Sequence, residues 1–323
     1  MPFFDRVRLQ RQNFLGSRVG SESQRTFWHG TCLNEQATVD RIGQYYISFY
    51  ENANRSGDHD AFGIPMVNYG RLVGKQYDPM AVAQWGLRNH DLFKRAGSPE
   101  NRQEFIVASD WICDYLDRDS FGPGAGTKSD HSSVLQSRCH VGSVQGQGIS
   151  LLVRAHAQTG EQRYREAADR AFANLVASTD GDGPASNDRA RVAPINKSVV
   201  SISTRSLSEF IWSAWGIYDY FLANGENLAK DLFAASVNTL TSNIEKYDLG
   251  FWSLYERSET LLPRVASRFY HELHISQMRV MFCMTGAEVF AHTAERWREY
   301  MASRLNRTRA LGYRVAFECC YHS

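Results

Sequence analysis

Residues 147–177 decide the fold class, and they read QGISLLVRAHAQTGEQRYREAADRAFANLVA. The first part is helical from Gln147 to Ala157, and Thr159-Gly160 closes it. The second part, Glu161 to Ala177, places apolar side chains three and four residues apart and charged side chains on the opposite face. Its inward set is Tyr164, Ala168, Ala171, Phe172 and Leu175. The stretch therefore predicts two helices joined by a tight turn.

The same helix–turn–helix unit recurs along the chain. Asp78-Pro79 and Ser98-Pro99 each place a capping residue before a proline, which is the pattern of a helix start. Long loops at 119–143 and 178–204 separate the helix pairs. The further predicted helices are Leu207–Leu222, Leu228–Tyr247, His274–Met284 and Ala287–Leu305.

Paired helices with long loops at one end predict an all-α fold. We expect the hairpins to form an α/α toroid, that is, an incomplete α/α barrel, because the long loops would then converge on a central cleft. A plain helical bundle is the alternative architecture. The toroid is predicted to span residues 76–305, after an irregular N-terminal arm at 1–75 and before a C-terminal tail at 306–323. The arm contains either one helix at about 36–50 or some strand.

The charge balance excludes one broad function class. The chain has 36 basic and 35 acidic residues and a formal net charge of +1. A nucleic-acid binder usually has a basic excess, so we expect no nucleic-acid partner. A local basic groove for an acidic sugar chain stays compatible with this balance.

The cysteines and the N-terminus predict the compartment. None of the 6 cysteines forms a CxxC pair, which indicates reduced thiols in a reducing compartment. The first residues, MPFFDR, contain no apolar run typical of a secretory signal. No stretch approaches the roughly 20 apolar residues of a membrane helix. We therefore expect a cytoplasmic protein without a membrane span.

Four segments, one of them made of two stretches, occur in the order of the family and are similar to the C-terminal domain of the glucuronyl C5-epimerases that act on heparosan-type chains. Residues 144–155, VQGQGISLLVRA, resemble that family's AQGQ-IS-LVRA stretch, and residues 209–219, EFIWSAWGIYD, resemble its GF-YSL-GLYD. Residues 252–257, WSLYER, and 269–277, FYHELHISQ, resemble SLYDLR and DYHTTHINQL. Residues 77–87, YDPMAVAQWGL, also look like the family's YP--IAQYGL. The resemblance covers residues 64–303.

The resemblance implies an α/α toroid that converts D-glucuronate to L-iduronate-type residues in glycosaminoglycan biosynthesis, with no nucleotide, metal or redox cofactor. Members of this family use tyrosines as acid and base. Two of these tyrosines carry over to matching positions, Tyr255 in the Ser-Leu-Tyr motif and Tyr270 in the Tyr-His-x-x-His motif. A third family tyrosine, in a Glu-Glu-Tyr-Pro stretch, has no counterpart, because residues 196–200 read NKSVV. Lys197 is our candidate for the missing base or for binding the substrate carboxylate, and a solvated loop lysine is the alternative.

The reaction itself explains why these residue types are needed. Removing a proton next to a carboxylate leaves a carbanion, whose charge must be offset by cations or hydrogen-bond donors. An acid and a base must each reach C5, on opposite faces of the ring. A tyrosine serves as base only when neighbouring cations lower its reference pKa of about 10. Our candidates are therefore Tyr255, Tyr270 and Lys197 for catalysis, and Arg257, Arg268, His271, His274, Gln145 and Gln147 for substrate binding.

Several of these candidates have structural alternatives. The family's arginine lies three residues after the first tyrosine, whereas Arg257 lies two after Tyr255. His271 and His274 could cap a helix or bind a metal, although no third ligand is evident. Gln145 and Gln147 flank a glycine ahead of a helix, where they would bind sugar hydroxyls or satisfy loop backbone.

Three functions remain open at this point. The first is a uronyl C5-epimerase acting on an acidic polysaccharide. The second is a uronate polysaccharide lyase, which uses the same proton abstraction and then loses the C4 substituent. The third is an inactive glycan-binding relative. The sequence also leaves a homodimer open.

Overall fold

The computed structural model describes residues 30–49, 58–68, 74–119, 142–177, 206–257 and 260–321, with the backbone alone for 68, 117–119 and 177. The helices of this part are α1 (Pro79–Ala96), α2 (Pro99–Asp119), α3 (Gly142–Thr159), α4 (Gln162–Ala177), α5 (Leu207–Asn224), α6 (Asn227–Asn243), α7 (Arg268–Thr285), α8 (Glu288–Ala302) and α9 (Arg304–Tyr321). A single 3₁₀ turn, Ile244–Tyr247, extends α6. The short strands are β1 (Cys32–Leu33), β2 (Ile47–Ser48), β3 (Asp58–His59), β4 (Pro65–Asn68) and β5 (Lys75–Gln76). The predicted all-α class is confirmed.

Helix α1 shows how local sequence sets the helix ends. The Asp78 carboxylate accepts the backbone N–H groups of Met80 and Ala81 at 3.0 and 3.3 Å, which satisfies donors that have no partner inside the helix. At the other end Gly97 adopts φ 68°, a left-handed conformation that only glycine reaches without strain. The start predicted for this helix is confirmed.

Two helices begin earlier than predicted. Helix α3 begins at Gly142, so Gln145 and Gln147 lie inside a helix, and their predicted place in a loop ahead of it was wrong. Helix α7 begins at Arg268, six residues before the predicted start at His274. The reason is a cap that the pattern analysis missed, because the Ser267 hydroxyl accepts the Tyr270 N–H at 3.2 Å.

The inner row of the fold consists of four helices, α1, α3, α5 and α7. Within this row α3 packs against α1 and α5, and α5 packs against α7. The other helices of the hairpins, α2, α4, α6 and α8, each pack on the helix that precedes them in the chain. Buried side chains concentrate on α1, α3, α5 and α7, whereas α6 and α8 bury only a few. The helices therefore form two layers built from hairpins. Closure of the row into a toroid stays a prediction.

Helices α3 and α5 touch through glycine. A Cβ atom on Gly216 would lie 2.4 Å from the Gly146 Cα, and one on Gly146 would lie 2.5 Å from the Trp212 carbonyl oxygen. Neither position can accept a side chain without moving the backbone. The glycine between Gln145 and Gln147 thus serves helix packing.

The segment ahead of α1 is extended and is tied to the inner row. The helix that we considered at about 36–50 is absent from residues 36–49, where the strand alternative holds, since β2 pairs antiparallel with β1. Tyr46 reaches the core, and its hydroxyl donates to the Asp219 carboxylate at 2.6 Å. The domain boundary at 75 stays a prediction.

The predicted tail from residue 306 is mostly helical, because it forms most of α9. This helix packs on α8, and its buried side chains are Ala310 and Phe317. Within the described ranges, none of the helices has the length and apolar content that crossing a bilayer requires.

Candidate active site

Tyr255 is held by backbone hydrogen bonds to two separate parts of the chain. Its N–H donates to the Arg264 carbonyl at 2.8 Å, and its own carbonyl accepts the Leu207 N–H at 3.0 Å. Leu207 is the first residue of α5, so Tyr255 sits between the start of that helix and the Arg264 segment. Its position is therefore fixed by the fold.

Tyr270 occupies the first turn of α7 and packs on Tyr255. The capping hydrogen bond from its N–H to Ser267 fixes where this turn begins. The two tyrosine rings meet edge to face, with centroids 4.8 Å apart and planes at 72°. The structure thus brings together the two tyrosines that the sequence analysis singled out.

Both tyrosines border a pocket of about 310 Å³. This volume lies at the small end of the range for ligand pockets, which is roughly 300–1,000 Å³. The pocket lies between the two tyrosines and one face of α9. Its lining residues are Tyr255, Arg264, Val265, Ser267, Tyr270, Arg314, Phe317 and Glu318.

Two arginines supply positive charge to this pocket. The Arg264 guanidinium carbon lies 4.7 Å from the centroid of the Tyr255 ring, and its Nη1 donates to Glu256 at 2.7 Å. Arg314 comes from α9 and makes no ion pair within 4.0 Å among the residues that the structure describes. Burial lowers the pKa of Arg314, and the charge of nearby Arg264 acts in the same direction, while Glu318 opposes both. An anion bound between the two guanidinium groups would relieve this repulsion.

Both phenol groups have a pKa above the ordinary value of tyrosine. Burial raises the pKa of Tyr255, and Glu209 adds to this rise, while the polar neighbours Ser206 and Tyr270 and the charge of Arg264 oppose it. Burial also raises the pKa of Tyr270, and the neighbouring Tyr255 adds to the rise. Both groups are neutral phenols at physiological pH, so they can donate protons.

Comparison of the sequence with known proteins shows the family of this chain. The sequence profile described as "D-glucuronyl C5-epimerase C-terminus" matches residues 135–299, which is half of the chain. The chain belongs to this family. It is also similar to a D-glucuronyl C5-epimerase of Caenorhabditis elegans, with 25% identity over 218 residues. That alignment covers 62% of this chain and 35% of the relative, so the chain spans about a third of the relative's length.

The family match divides the pocket into two parts. Tyr255, Arg264 and Tyr270 lie within the matched residues 135–299, whereas the side of the pocket that α9 forms lies beyond residue 299. The side with the two phenols is therefore the part that this chain shares with the epimerase family profile.

The two arginines chosen from the sequence lie elsewhere. Arg257 is exposed. Burial raises the pKa of Tyr247 to about 12, and the charge of Arg257 opposes this rise. Arg268 is exposed at the start of α7. Neither side chain lines the pocket, and the arginines that do line it are Arg264 and Arg314. Substrate binding by Arg257 and Arg268 stays a prediction.

His271 and His274 lie beneath the pocket and do not line it. Both are fully buried, and the Ser253 hydroxyl lies 2.8 and 2.9 Å from their Nδ1 atoms. The Ser253 N–H donates to His271 Nδ1 at 3.2 Å, which assigns the ring proton to Nε2, where it is donated to the Trp297 carbonyl at 3.0 Å. Burial lowers the pKa of His271 to about 4, so the ring is neutral. This geometry favours the structural alternative for the two histidines, and their contact with substrate stays a prediction.

Among the remaining candidates that the structure describes, Gln145 and Gln147 do not line the pocket. Gln145 and Gln147 are buried in α3, and Gln147 lies beside Tyr45 in the core. Lys197 lies outside the described residues. Substrate contacts by these three residues stay predictions.

Sequence reasoning missed Arg264, Arg314 and Glu318. Arg264 follows a segment without periodicity, so no local signal marks it. Arg314, Phe317 and Glu318 stand at positions i, i+3 and i+4, which share one face of a helix, and this spacing was the available signal. The sequence analysis predicts a tail at residues 306–323 and therefore does not use this helical spacing.

Proposed function

We propose that this protein is a polysaccharide uronyl C5-epimerase that converts D-glucuronate to L-iduronate residues in an acidic glycan. The observation that carries the proposal is the contact of Tyr255 with Tyr270 at the edge of a pocket that also contains two arginines. Membership of the epimerase family supports it. The substrate is a chain of uronate-containing sugars such as heparosan.

The pocket offers the charges that this reaction needs. Loss of the C5 proton places its electron pair in the adjacent carboxylate, which then carries extra negative charge. Arg264 and Arg314 are placed to offset that charge, and arginine is always protonated. The two phenols act as proton donors to C5, in keeping with the raised pKa of both groups.

Incubation with candidate uronans in deuterated water tests the proposal. We expect deuterium to enter C5 of the uronate and iduronate signals to appear in the NMR spectrum, with the chain length unchanged. A protein that binds uronans but exchanges no C5 proton would instead be the inactive glycan-binding relative.

A uronate lyase is the second candidate, and one observation favours it. The two tyrosine rings are in contact, with centroids 4.8 Å apart, so we expect both phenols to approach the same face of the sugar. A pair on one face can abstract the C5 proton and protonate the leaving oxygen at C4. In the same incubation, a lyase would shorten the chain and produce the ultraviolet absorbance of an unsaturated uronate.

A further inference from the structure

Helix α9 supplies one side of the pocket, and this side carries Arg314 and Phe317. Arg264 connects it with the tyrosines, because its guanidinium carbon lies 4.7 Å from the centroid of the Tyr255 ring and 5.9 Å from that of the Phe317 ring. The helix lies beyond residue 299, where the match to the family profile ends. One side of the pocket therefore comes from outside the part of the chain that matches the family.

The two arginines of the pocket differ in how far their charge is already neutralised. The Arg264 Nη1 donates to the Glu256 carboxylate at 2.7 Å, and the guanidinium also lies against the Tyr255 ring. The Arg314 side chain makes neither an ion pair within 4.0 Å nor a hydrogen bond within the ranges that the structure describes. The carboxylate of Glu318, one turn further along α9, acts on its charge only at a longer distance. Arg314 is therefore the pocket cation whose donors are open to a ligand.

The surroundings of Arg314 favour an anionic ligand. The residue is partly buried, and a guanidinium that is removed from water without a partner costs free energy in the unliganded protein. Burial and the charge of Arg264 both lower the pKa of Arg314, so both act against its charged form. Arginine stays protonated in proteins, so the cost is not removed by loss of a proton. A carboxylate removes it best, because the planar guanidinium can donate to both carboxylate oxygens.

We propose that Arg314 binds the carboxylate of the uronate in the pocket and is thereby the residue that selects acidic sugars over neutral ones. This assignment rests on the proposed function and deepens it, because recognition of the acidic sugar then belongs to α9 and proton transfer to the side that matches the family. Arg264, which is paired with Glu256, contributes less to the selection. A neutral sugar in the same pocket leaves the charge of Arg314 without a partner and therefore binds more weakly.

Binding of two forms of one polysaccharide tests the assignment. The first form is a uronan, and the second is the same polymer after reduction of its carboxyl groups to hydroxymethyl groups, which makes it neutral. Arg314→Gln should weaken binding of the uronan by roughly 10- to 100-fold, the loss expected for hydrogen bonds to a charged group, and should leave binding of the reduced polymer unchanged. Titration calorimetry measures both dissociation constants. A loss confined to the acidic polymer is a signature that a merely structural role would not produce.

Two further variants keep the test decisive. Arg304→Gln removes the same charge from an exposed position of α9 that does not line the pocket, and it should bind both polymers as the wild type does. Arg314→Lys keeps the charge without the planar guanidinium, so its affinity for the uronan should lie between those of the wild type and Arg314→Gln. The lysine variant serves as the test if the glutamine variant does not fold. The urea midpoint of Arg314→Gln should equal or exceed that of the wild type, because an unpaired charge is removed from a partly buried position.

The outcomes separate this assignment from the proposed function. A wild-type protein that prefers the uronan through Arg314 but exchanges no C5 proton overturns the epimerase and supports Arg314 as the uronate-binding residue. An active wild type whose Arg314→Gln variant binds the uronan with unaltered affinity overturns the assignment alone. Equal losses for both polymers, or an equal loss in Arg304→Gln, also overturn the assignment. A wild type that binds the reduced polymer as tightly as the uronan does the same.

Discussion

Among the described residues, two of the sites that combine tyrosine, arginine and a carboxylate differ in their access to solvent. In the first, Arg154 donates to Asp219 at 2.7 Å and Tyr46 donates to the same carboxylate at 2.6 Å. All three side chains are at most 1% exposed. In the second, Tyr255 and Tyr270 border a pocket with Arg264 and Arg314. We call these the buried site and the pocket site.

We infer from this comparison that burial, and not residue type, distinguishes a site that stabilises the fold from the proposed active site. In the buried site the guanidinium and the carboxylate neutralise each other, and Arg154 also donates to the Gly43 and Ser150 carbonyls. In the pocket site Arg314 makes no ion pair within 4.0 Å among the described residues, and under the proposed function it would bind the anionic sugar. Arg154 and Asp219 belong to the segments that resemble the epimerase family, yet they hold the fold together.

The largest expected effect is on the pocket site. Tyr270→Phe removes a proton-transfer group, so the rate of C5 deuterium exchange should fall about 10²–10⁴-fold. The free energy of unfolding should change little, because Tyr270 is only partly buried. Exchange by NMR and urea unfolding measure the two quantities. Exchange at the wild-type rate would remove Tyr270 from the mechanism.

The next effect is on the buried site. Asp219→Ala leaves the Arg154 charge buried without its partner, so the free energy of unfolding should fall by about 3–5 kcal/mol. Urea unfolding measures the loss. A variant as stable as the wild type would show that the Arg154–Asp219 pair is not what holds the N-terminal segment on the helices.

These effects also show what the sequence could and could not predict. The ends of α1 follow from Asp78 and Gly97, because capping is local chemistry. The motifs at residues 252–257 and 269–277 pointed to Tyr255 and Tyr270, which lie in contact. Arg264, Arg314 and Glu318 were missed because their meeting depends on how α9 packs against a loop distant in sequence. The start of α7 was missed because the motif drew attention to its histidines and away from Ser267.

The histidines beneath the pocket should make the stability of the molecule depend on pH below neutrality. His271 has a pKa of about 4 when folded, below the reference of about 6.5 for an unfolded chain. The unfolded chain therefore binds a proton first, and stability present above pH ~6.5 is lost as the pH falls toward ~4, by roughly 3 kcal/mol. Urea unfolding from pH 7 to pH 4 should show a smaller loss for His271→Gln than for the wild type. Equal losses in both proteins would contradict this origin.

The smallest expected effect sharpens the contrast between two tyrosines. Tyr46→Phe removes one hydrogen bond to the buried Asp219 carboxylate, so the free energy of unfolding should fall by about 1.5–3 kcal/mol. C5 exchange by the folded variant should equal that of the wild type, which is the opposite pattern to Tyr270→Phe. A loss of exchange without a loss of stability would place Tyr46 in the reaction and would break the distinction between the two sites.

The central claim is that the two phenols of the pocket site act as one proton-transfer unit on a uronate C5. The most direct measurement is the C5 deuterium-exchange rate of Tyr255→Phe, Tyr270→Phe and the double variant on the same uronan. Groups that act as a unit give non-additive losses, so the double variant should be hardly slower than the slower single variant. A double variant whose loss is the product of the two single losses would contradict the claim, as would exchange at the wild-type rate in all three.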